Sequence, residues 1–218
     1  YIDKLLSLQL SKQEIRKSGF PLSQALVDRE QIIAQGTINN VHYAIESGVS
    51  MNIAGGTHHA FSDRAEAFSF FNDQAIAAQY ILDQGIAQRI AIIDLDVHQG
   101  NGTAEVFSTV PEVFTFSMHG KANYPFKKEQ SDLDVELESS ITDEVYLKLL
   151  EQHLKEIHQK FEPQFIFYLS GVDILKSDKL GKLNLSIQAC KRRDALVLSY
   201  AKHYQIPVQI SMGGGYSP

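Results

Sequence analysis

Five short apolar runs, rich in β-branched and aromatic residues and separated by longer segments, limit the folds that this chain can adopt. Their hydrophobicity is nearly continuous, whereas a strand with one solvated face alternates apolar and polar residues. Such continuity indicates strands that are buried on both faces, as in a parallel sheet. The runs are SMNIAGG (50–56), RIAIIDLD (89–96), EVFTFSMH (112–119), FIFYLSG (165–171) and VQISMGGG (208–215).

Segments with helical periodicity lie between and before these runs. The clearest covers 142–161, where apolar residues recur every three or four positions at Tyr146, Leu150, Leu154, Ile157 and Phe161. A second helix is predicted from the N-cap residue Ser186 to about Tyr204, a third over 63–84, and two more between residues 11 and 48. Strands that alternate with helices predict a three-layer α/β fold, with a mostly parallel central sheet and helices on both faces.

Charge and cysteine content exclude several classes of protein. The net charge of −6 argues against direct nucleic-acid binding, and the one basic cluster, Lys191-Arg192-Arg193, is predicted to be a solvated helix face. The single cysteine, Cys190, excludes a disulfide framework and favours a reducing compartment. Neither a long apolar stretch nor a signal-peptide pattern occurs, so we expect a cytoplasmic protein, or a nuclear one in a eukaryote, without membrane contact.

Every unusual polar cluster of the sequence follows one of the five apolar runs. In open α/β sheets, ligands bind beyond the carboxyl ends of the strands. The five clusters are therefore expected to converge on one crevice. They are His58-His59, the stretch DLDVH (94–98), the stretch SMHG (117–120), the stretch GVD (171–173) and the stretch GGGY (213–216).

The DLDVH stretch forms half of a candidate metal site. Along an extended chain, alternation sends Asp94, Asp96 and His98 to the same side. A carboxylate at the end of a buried strand must be paired or bound to a metal, an argument that applies again to Asp173. Three ligands, Asp96, His98 and Asp173, leave a position open for water and substrate. One nitrogen and two oxygen ligands suit zinc, ferrous iron or manganese, and Asp96 could instead be a helix cap or a satisfied core carboxylate.

These motifs together resemble the zinc-dependent histone deacetylase family, whose members have the arginase/deacetylase fold. The resemblance runs from about Phe20 to Tyr216, and its spacing around DLDVHQGNG and SDKLGKL is most similar to the class IV branch and its bacterial relatives. It implies one deacetylase-like catalytic domain over 1–218, whose N-terminal strand and C-terminal helix fall outside this sequence. The motifs are GGTHHA, DLDVHQGNGT, FSMHGKANYPF, LSGVDILKSDKLGKLNLS and GGGY.

The resemblance assigns a role to each residue of the crevice. It implies that Asp96, His98 and Asp173 bind a catalytic Zn²⁺. His59 would be the general base and then the general acid, while His58, paired with Asp94, would stabilise charge. Tyr216 would donate its hydroxyl to the substrate carbonyl oxygen and to the tetrahedral intermediate, a role that fits the chemistry of amide hydrolysis.

A substrate tunnel and a second cation are also implied by the resemblance. Phe68 and Tyr124 match the aromatic walls around the lysine methylenes, Leu180 matches an aliphatic wall residue, and the carbonyl of Ala67 would accept the substrate amide hydrogen. A structural K⁺ or Na⁺ would lie beside the catalytic metal. Its ligands would come from Asp94, Asp96, His98, Ser117 and Met118, several of them through main-chain carbonyls.

The sequence departs from the family pattern at two positions near the histidines. Asn101 stands where many members have an aspartate that orients the second histidine, although asparagine is usual in the class IV-like branch. Because a neutral amide stabilises imidazolium less than a carboxylate does, the pKa of His59 is expected to be lower than in those members. Gln99 likewise replaces a histidine of many relatives.

The leading functional hypothesis is a metal-dependent hydrolase that removes an acyl group, acetyl by default, from a lysine-like amine in a protein, a peptide or a small molecule. Acetylpolyamine or other small-amide hydrolysis, long-chain deacylation, arginase-like ureohydrolysis and non-catalytic acyl-lysine binding stay open as alternatives. An arginase-like enzyme would need further carboxylates for two metal ions, and Asn101 stands where one is expected. The oligomeric state is not predicted.

Overall fold

The computed structural model describes residues 1–217 and contains one sheet of six strands. Their order across the sheet is β1-β6-β5-β2-β3-β4, and every neighbouring pair is parallel. All carboxyl ends therefore lie at the same edge. The strands are β1 (Val49–Asn52), β2 (Ile90–Asp94), β3 (Val113–Gly120), β4 (Leu133–Leu137), β5 (Phe165–Leu169) and β6 (Val208–Ser211).

Seven helices precede or connect these strands. As predicted, α7 begins at the side-chain cap Ser186, which accepts a hydrogen bond from the backbone of Ala189. Helix α6 begins in the same way at Thr142, which accepts one from the backbone of Val145. The two helices predicted before residue 48 are also confirmed. The seven are α1 (Ile2–Leu6), α2 (Lys12–Ser18), α3 (Gln24–Ser47), α4 (Asp73–Asp83), α5 (Asn101–Phe107), α6 (Asp143–Phe161) and α7 (Ile187–Tyr204).

The central strand β2 shows why the fold has three layers. Ile90 and Ile92 pack into a core with residues of α3, α4 and α5, whereas Ala91 and Ile93 pack into a core with residues of α6 and α7. Both faces of the strand are therefore buried, which explains its continuous hydrophobicity. The predicted three-layer α/β architecture is confirmed. Within residues 1–217, none of the helices combines the length and apolarity that a membrane crossing needs.

Four elements differ from the sequence-based expectation. The helix predicted over 63–84 begins only at Asp73, because Asn72 caps it and the preceding residues form a loop around the crevice. Strand β4 was not predicted: it is an edge strand whose residues alternate in burial, so it lacks the continuous apolar pattern of the others. The short helices α1 and α5 were also missed, since one or two turns carry little periodicity.

Candidate active site

In the DLDVH stretch, backbone amides donate hydrogen bonds to carboxylates of the same stretch. Strand β2 ends at Asp94, so Asp96 and His98 do not belong to an extended chain, and the alternation argument for these two residues was wrong. Instead, the amide of Asp96 donates to Asp94 Oδ1 over 3.1 Å, and the amide of His98 donates to Asp96 Oδ1 over 2.9 Å. The turn still directs the three side chains into one buried cluster, as predicted.

Asp173 completes this cluster from the neighbouring strand β5. Its Oδ1 accepts a hydrogen bond from the amide of Val97 at 2.9 Å, which joins the ends of β2 and β5. His98 Nδ1 lies 3.0 Å from Asp96 Oδ1 and 3.1 Å from Asp173 Oδ2, and one ligand atom of each residue lies within 4.8 Å of the others. The sequence-predicted metal ligands are therefore brought together.

The electrostatics of the three ligands fit a bound cation. Burial and the charge of Asp96 raise the pKa of Asp173 to about 7. Burial opposes protonation of His98, but its hydrogen bonds to Asp173 and Asp96 outweigh that effect and raise its pKa to about 10. Two buried carboxylates thus hold a proton on an imidazole between them. Because buried negative charge needs a positive partner, this donor set suits a divalent metal ion in place of that proton.

The adjacent histidines His58 and His59 have opposite environments. Burial disfavours the charged form of His58, but Asp94, whose Oδ2 lies 2.6 Å from its Nδ1, and Asp96 raise its pKa to about 9. His59 Nδ1 donates instead to the neutral Oδ1 of Asn101 over 2.7 Å. Burial and then the charge of His58 hold the pKa of His59 well below its usual value. His59 is thus the neutral imidazole of the pair, as a general base requires.

The glycine loop after β6 brings its backbone against the carboxylates. The amide of Gly214 donates to Asp96 Oδ2 over 2.7 Å, and a Cβ at this position would lie only 2.8 Å from the same oxygen. Glycine is therefore required for this close approach. The loop delivers Tyr216 to the crevice, and burial and the charges of Asp96 and Asp173 raise the pKa of its phenol to about 12. At neutral pH the hydroxyl is a hydrogen-bond donor.

A cavity of about 540 Å³ opens above these groups. All four predicted tunnel residues line it, together with His58, His59, Asp96, His98 and Tyr216. Phe68 has a positive φ of 66°, and its amide is held by the carbonyl of Ser18 at 2.7 Å, so α2 supports the tunnel wall. The carbonyl contact of Ala67 with substrate stays a prediction. The tunnel residues are Ala67, Phe68, Tyr124 and Leu180.

The residues predicted to hold a monovalent cation form one buried region. Asp94 on β2 is the register partner of Ser117 on β3, and both Ser117 and Met118 are buried. Ser117 Oγ also lies 2.9 Å from His119 Nδ1. The proximity fits the predicted ligand set, but the cation itself stays a prediction.

Sequence reasoning missed a carboxylate behind the histidines. Glu66 Oε1 accepts hydrogen bonds from Asn101 Nδ2, at 3.0 Å, and from the hydroxyl of Tyr124. Its other oxygen lies 3.4 Å from Nε of Arg64. Glu66 lies in a loop that was predicted to be helix, so its approach to Asn101 could not be inferred from spacing.

A second missed carboxylate, Asp73, ties the histidine loop to other elements. It is buried at the start of α4, where its Oδ1 accepts from the amides of Gly56 and Thr57 at 2.8 and 3.0 Å. Its Oδ2 accepts from the hydroxyls of Thr37 on α3, at 2.7 Å, and Ser211 at the end of β6, at 3.1 Å. One carboxylate thereby aligns the loops that precede His58 and Tyr216.

The prediction that Arg193 belongs to a solvated face was wrong. Arg193 is 0% exposed, and its guanidinium donates to the carbonyls of Leu95, Ser170 and Gly171 at 3.2, 3.1 and 2.5 Å. These carbonyls lie just before the metal-ligand candidates Asp96 and Asp173. The sequence could not separate Arg193 from its exposed neighbours because the basic run KRR has no burial signal of its own.

Comparisons with known proteins agree with this geometry. The family model described as the histone deacetylase domain matches residues 1–218. The chain belongs to the histone deacetylase family. It is 42% identical over 217 residues to an uncharacterised protein of Picosynechococcus sp., covering 100% of this chain and 72% of that protein. It is 34% identical over 184 residues to histone deacetylase 2 of Arabidopsis thaliana, covering 83% of this chain and 48% of that protein.

Solved structures of the family share the fold. A histone deacetylase homologue from Aquifex aeolicus superposes with a TM-score of 0.84 at 27% identity, covering 98% of this chain and 62% of that one. A homologue crystallised with SAHA gives a TM-score of 0.83 at 28% identity, covering 99% of this chain and 61% of that one. The chain thus spans less than two thirds of these structures, and about half of the plant histone deacetylase.

Proposed function

We propose that this chain hydrolyses the amide bond of an acylated lysine side chain, acetyl-lysine by default, to a carboxylate and a free amine. The observation that carries the proposal is the meeting of a neutral imidazole, a protonated phenol and a set of three candidate metal ligands at one cavity. Membership of the histone deacetylase family supports it. A homologue that accommodates SAHA supports the same class of substrate.

The metal of this proposal is zinc, held by Asp96, His98 and Asp173. When bound, zinc supplies a Lewis acid that polarises the substrate carbonyl and lowers the pKa of water. His59 Nε2 accepts a proton from the attacking water and later gives it to the leaving nitrogen, so water adds across the C–N bond. Tyr216 donates its hydroxyl to the developing oxyanion.

His58 and Asp94 contribute charge rather than proton transfer in this scheme. The 2.6 Å contact between His58 Nδ1 and Asp94 Oδ2 favours a charged imidazolium at His58. We propose K⁺, or Na⁺ in its place, as a structural ion at the carbonyls around Asp94, Ser117 and Met118. It would offset the negative charge that Asp94 and Asp96 concentrate there. We place the reaction in the cytoplasm, or in the nucleus of a eukaryote, since Cys190 suits a reducing compartment.

The charged groups of the cavity favour a lysine-containing peptide over a polyamine. Apart from Asp96 and the histidines of the site, the charged side chains that line it are Lys17 and Lys182. Two ammonium groups repel a polycation and are compatible with a neutral acyl-lysine whose peptide carries acidic flanks. Acetylpolyamine hydrolysis is accordingly the weaker candidate.

The test is acyl release by the purified chain reconstituted with zinc, with and without a chelator. The substrates are acetyl-lysine peptides, long-chain acyl-lysine peptides and acetylpolyamines. We expect chelator-sensitive turnover of a peptide, and the more reactive peptide identifies the acyl length. Two manganese ions per chain with urea-forming activity would overturn the proposal in favour of a ureohydrolase. One zinc per chain with no turnover of any substrate would instead favour acyl-lysine binding.

A further inference from the structure

The side chain that orients His59 is an amide, and an amide has two unlike ends. Asn101 Oδ1 is a hydrogen-bond acceptor, whereas Nδ2 is a donor. With Oδ1 towards the imidazole, His59 carries its proton on Nδ1 and leaves a lone pair on Nε2. Only this tautomer can take a proton from water at Nε2.

Rotation of the amide by 180° would reverse this arrangement. Asn101 Nδ2 would then point at His59 Nδ1, which could only accept, so the proton would move to Nε2. The imidazole would stay in place but would have lost its function as a base. An aspartate at this position would avoid the problem, because both oxygens of a carboxylate accept. A chain with Asn101 therefore needs another group that fixes the amide.

Glu66 is placed to fix it. Its Oε1 lies 3.0 Å from Asn101 Nδ2, at the end of the amide remote from the imidazole. An ionised carboxylate has no donor, so a rotated amide would set Oδ1 of Asn101 against Glu66 with no proton between them. That arrangement leaves two acceptors opposed in a site where Asn101 is only 2% exposed.

Neighbouring groups hold the carboxylate of Glu66 in position. The hydroxyl of Tyr124 donates to the same Oε1, and Nε of Arg64 lies 3.4 Å from Oε2. The guanidinium of Arg64 is in turn packed over the ring of Phe61, 3.4 Å from its centroid. The backbone of Glu66 is paired with Ser69 in both directions, at 3.1 and 2.9 Å. The carboxylate thus has a fixed position and a cationic neighbour.

We propose that Glu66 is a positioning residue that sets the tautomer of His59 through the amide of Asn101. The proposal rests on the proposed function, because the tautomer matters only if His59 is a base. It also gives Tyr124 a second role, in addition to that of a tunnel wall. The hydroxyl of Tyr124 positions the carboxylate of Glu66, which in turn positions the amide of Asn101. The hydrogen bonds from Tyr124 through Glu66 and Asn101 to His59 form a relay, in which each donor and each acceptor has a single orientation.

The first measurement is the tautomer itself, which needs no substrate and no metal. Long-range ¹H–¹⁵N spectra of the imidazoles, assigned with a His59→Gln variant, distinguish a proton on Nδ1 from one on Nε2. At pH 7.5 we expect wild-type His59 to be neutral with its proton on Nδ1. Glu66→Met removes both acceptor oxygens while keeping the length of the side chain, and we expect it to give a mixture of the two tautomers.

Turnover provides the second measurement. In the zinc-loaded enzyme we expect Glu66→Met to lower kcat by about 10-fold with KM nearly unchanged, a part of the ~10²–10⁴ that a general base supplies. Adding Asn101→Asp to Glu66→Met should recover most of that loss, because a carboxylate cannot present a donor to His59. Glu66→Gln should lose little, since its remaining oxygen can accept from both Asn101 and Tyr124.

Two controls separate orientation of the amide from support of the loop. Glu105→Met removes another carboxylate that holds this loop, through the 2.8 Å hydrogen bond from the hydroxyl of Ser62, and should leave the His59 tautomer unchanged. Tyr124→Phe removes only the hydroxyl donor and should shift the tautomer less than Glu66→Met does. Melting temperatures verify that each variant is folded.

The outcomes distinguish this proposal from the proposed function. If the wild-type protein shows no turnover but Glu66→Met changes the tautomer of His59 as predicted, the proposed deacylase is rejected and the relay is retained. A single Nδ1-protonated tautomer in folded Glu66→Met would overturn the relay, whatever the turnover. So would equal activity losses in Glu66→Met and in its double variant with Asn101→Asp, since orientation would then have no part in the loss.

Discussion

Two chemically identical side chains, His58 and His59, acquire different properties because both are buried but only His58 has a carboxylate partner. The charge of Asp94 at His58 Nδ1 outweighs burial and favours the imidazolium, whereas burial and the charge of His58 outweigh the hydrogen bond from His59 to Asn101 and favour neutral His59. Protein environments that separate the pKa values of paired groups in this way are typical of acid–base sites. The difference is a property of the partner residues and not of the histidines.

The first residue-scale prediction concerns the phenol of Tyr216. Tyr216→Phe should lower kcat by about 10²-fold, the usual effect of removing one oxyanion donor. Zinc content should stay the same, because the hydroxyl is not among the metal-ligand candidates. Steady-state kinetics and metal analysis of the same preparation provide the comparison. A variant with wild-type kcat would exclude the hydroxyl from the reaction.

The second prediction concerns pH. His59 acts as a base only when neutral, and its pKa is held well below the usual value by burial and by His58. With zinc kept at a saturating concentration at every pH, activity should therefore persist as the pH falls past the ordinary histidine pKa of about 6.5, and decline only at lower pH. Asn101→Asp, which favours imidazolium, should move this acidic limb to higher pH. Profiles of kcat/KM measured on both proteins would show the shift, and coincident limbs would contradict it.

At the scale of elements, the central strands could be predicted and their ends could not. Strands β2 and β5 are buried on both faces, and their consecutive apolar residues predict this burial. Edge strand β4 has apolar residues only at alternate positions, so its sequence pattern is weaker. The paths of 63–72 and of 95–98 depend on hydrogen bonds to distant residues, such as the one from Val97 to Asp173, which no local pattern records.

The candidate site was predictable to the extent that its residues belong to motifs. Six predicted residues follow strands whose parallel arrangement brings their ends together: Asp96, His98, Asp173, His58, His59 and Tyr216. Glu66, Asp73 and Arg193 act through backbone groups or through other side chains. A glutamate in a loop and an arginine in a basic run resemble any solvated residue, so their positions became clear only in three dimensions.

Helix α7 provides the prediction at this scale. Arg193 donates to three buried carbonyls at the ends of β2 and β5, and Arg193→Met would leave them unpaired. We expect the free energy of unfolding to fall by about 3–5 kcal/mol, comparable with the loss of one partner of a buried charged pair. Urea denaturation measures the change. Arg192→Met is the matched control, because the neighbouring Arg192 is exposed, and it should change stability by less than about 0.5 kcal/mol.

For the whole molecule, the candidate metal ligands join strand ends through hydrogen bonds between residues that are 75 or more positions apart in the chain. Asp96 and His98 follow β2, Asp173 follows β5, and Gly214 of the loop after β6 bonds to Asp96. A cation held at this junction binds only the folded chain, and its binding energy therefore adds to the stability of the whole sheet. The same residues that carry the proposed chemistry are thus expected to govern the thermal behaviour of the protein.

This linkage predicts a metal-dependent and pH-dependent melting temperature. At a free zinc concentration of about 100 Kd the stabilisation is about 2.7 kcal/mol, which corresponds to about 5–10 °C for a chain of this size. Zinc must displace the proton on His98, whose pKa is raised to about 10, and compete with protonation of Asp173, whose pKa is about 7. Its affinity should therefore weaken as the pH falls from 8 to 6, and the zinc-induced shift should shrink at a fixed zinc concentration. Calorimetry with and without a chelator tests this, with Asp173→Ala expected to show no zinc-induced shift; an undiminished shift in that variant would remove Asp173 from the ligand set.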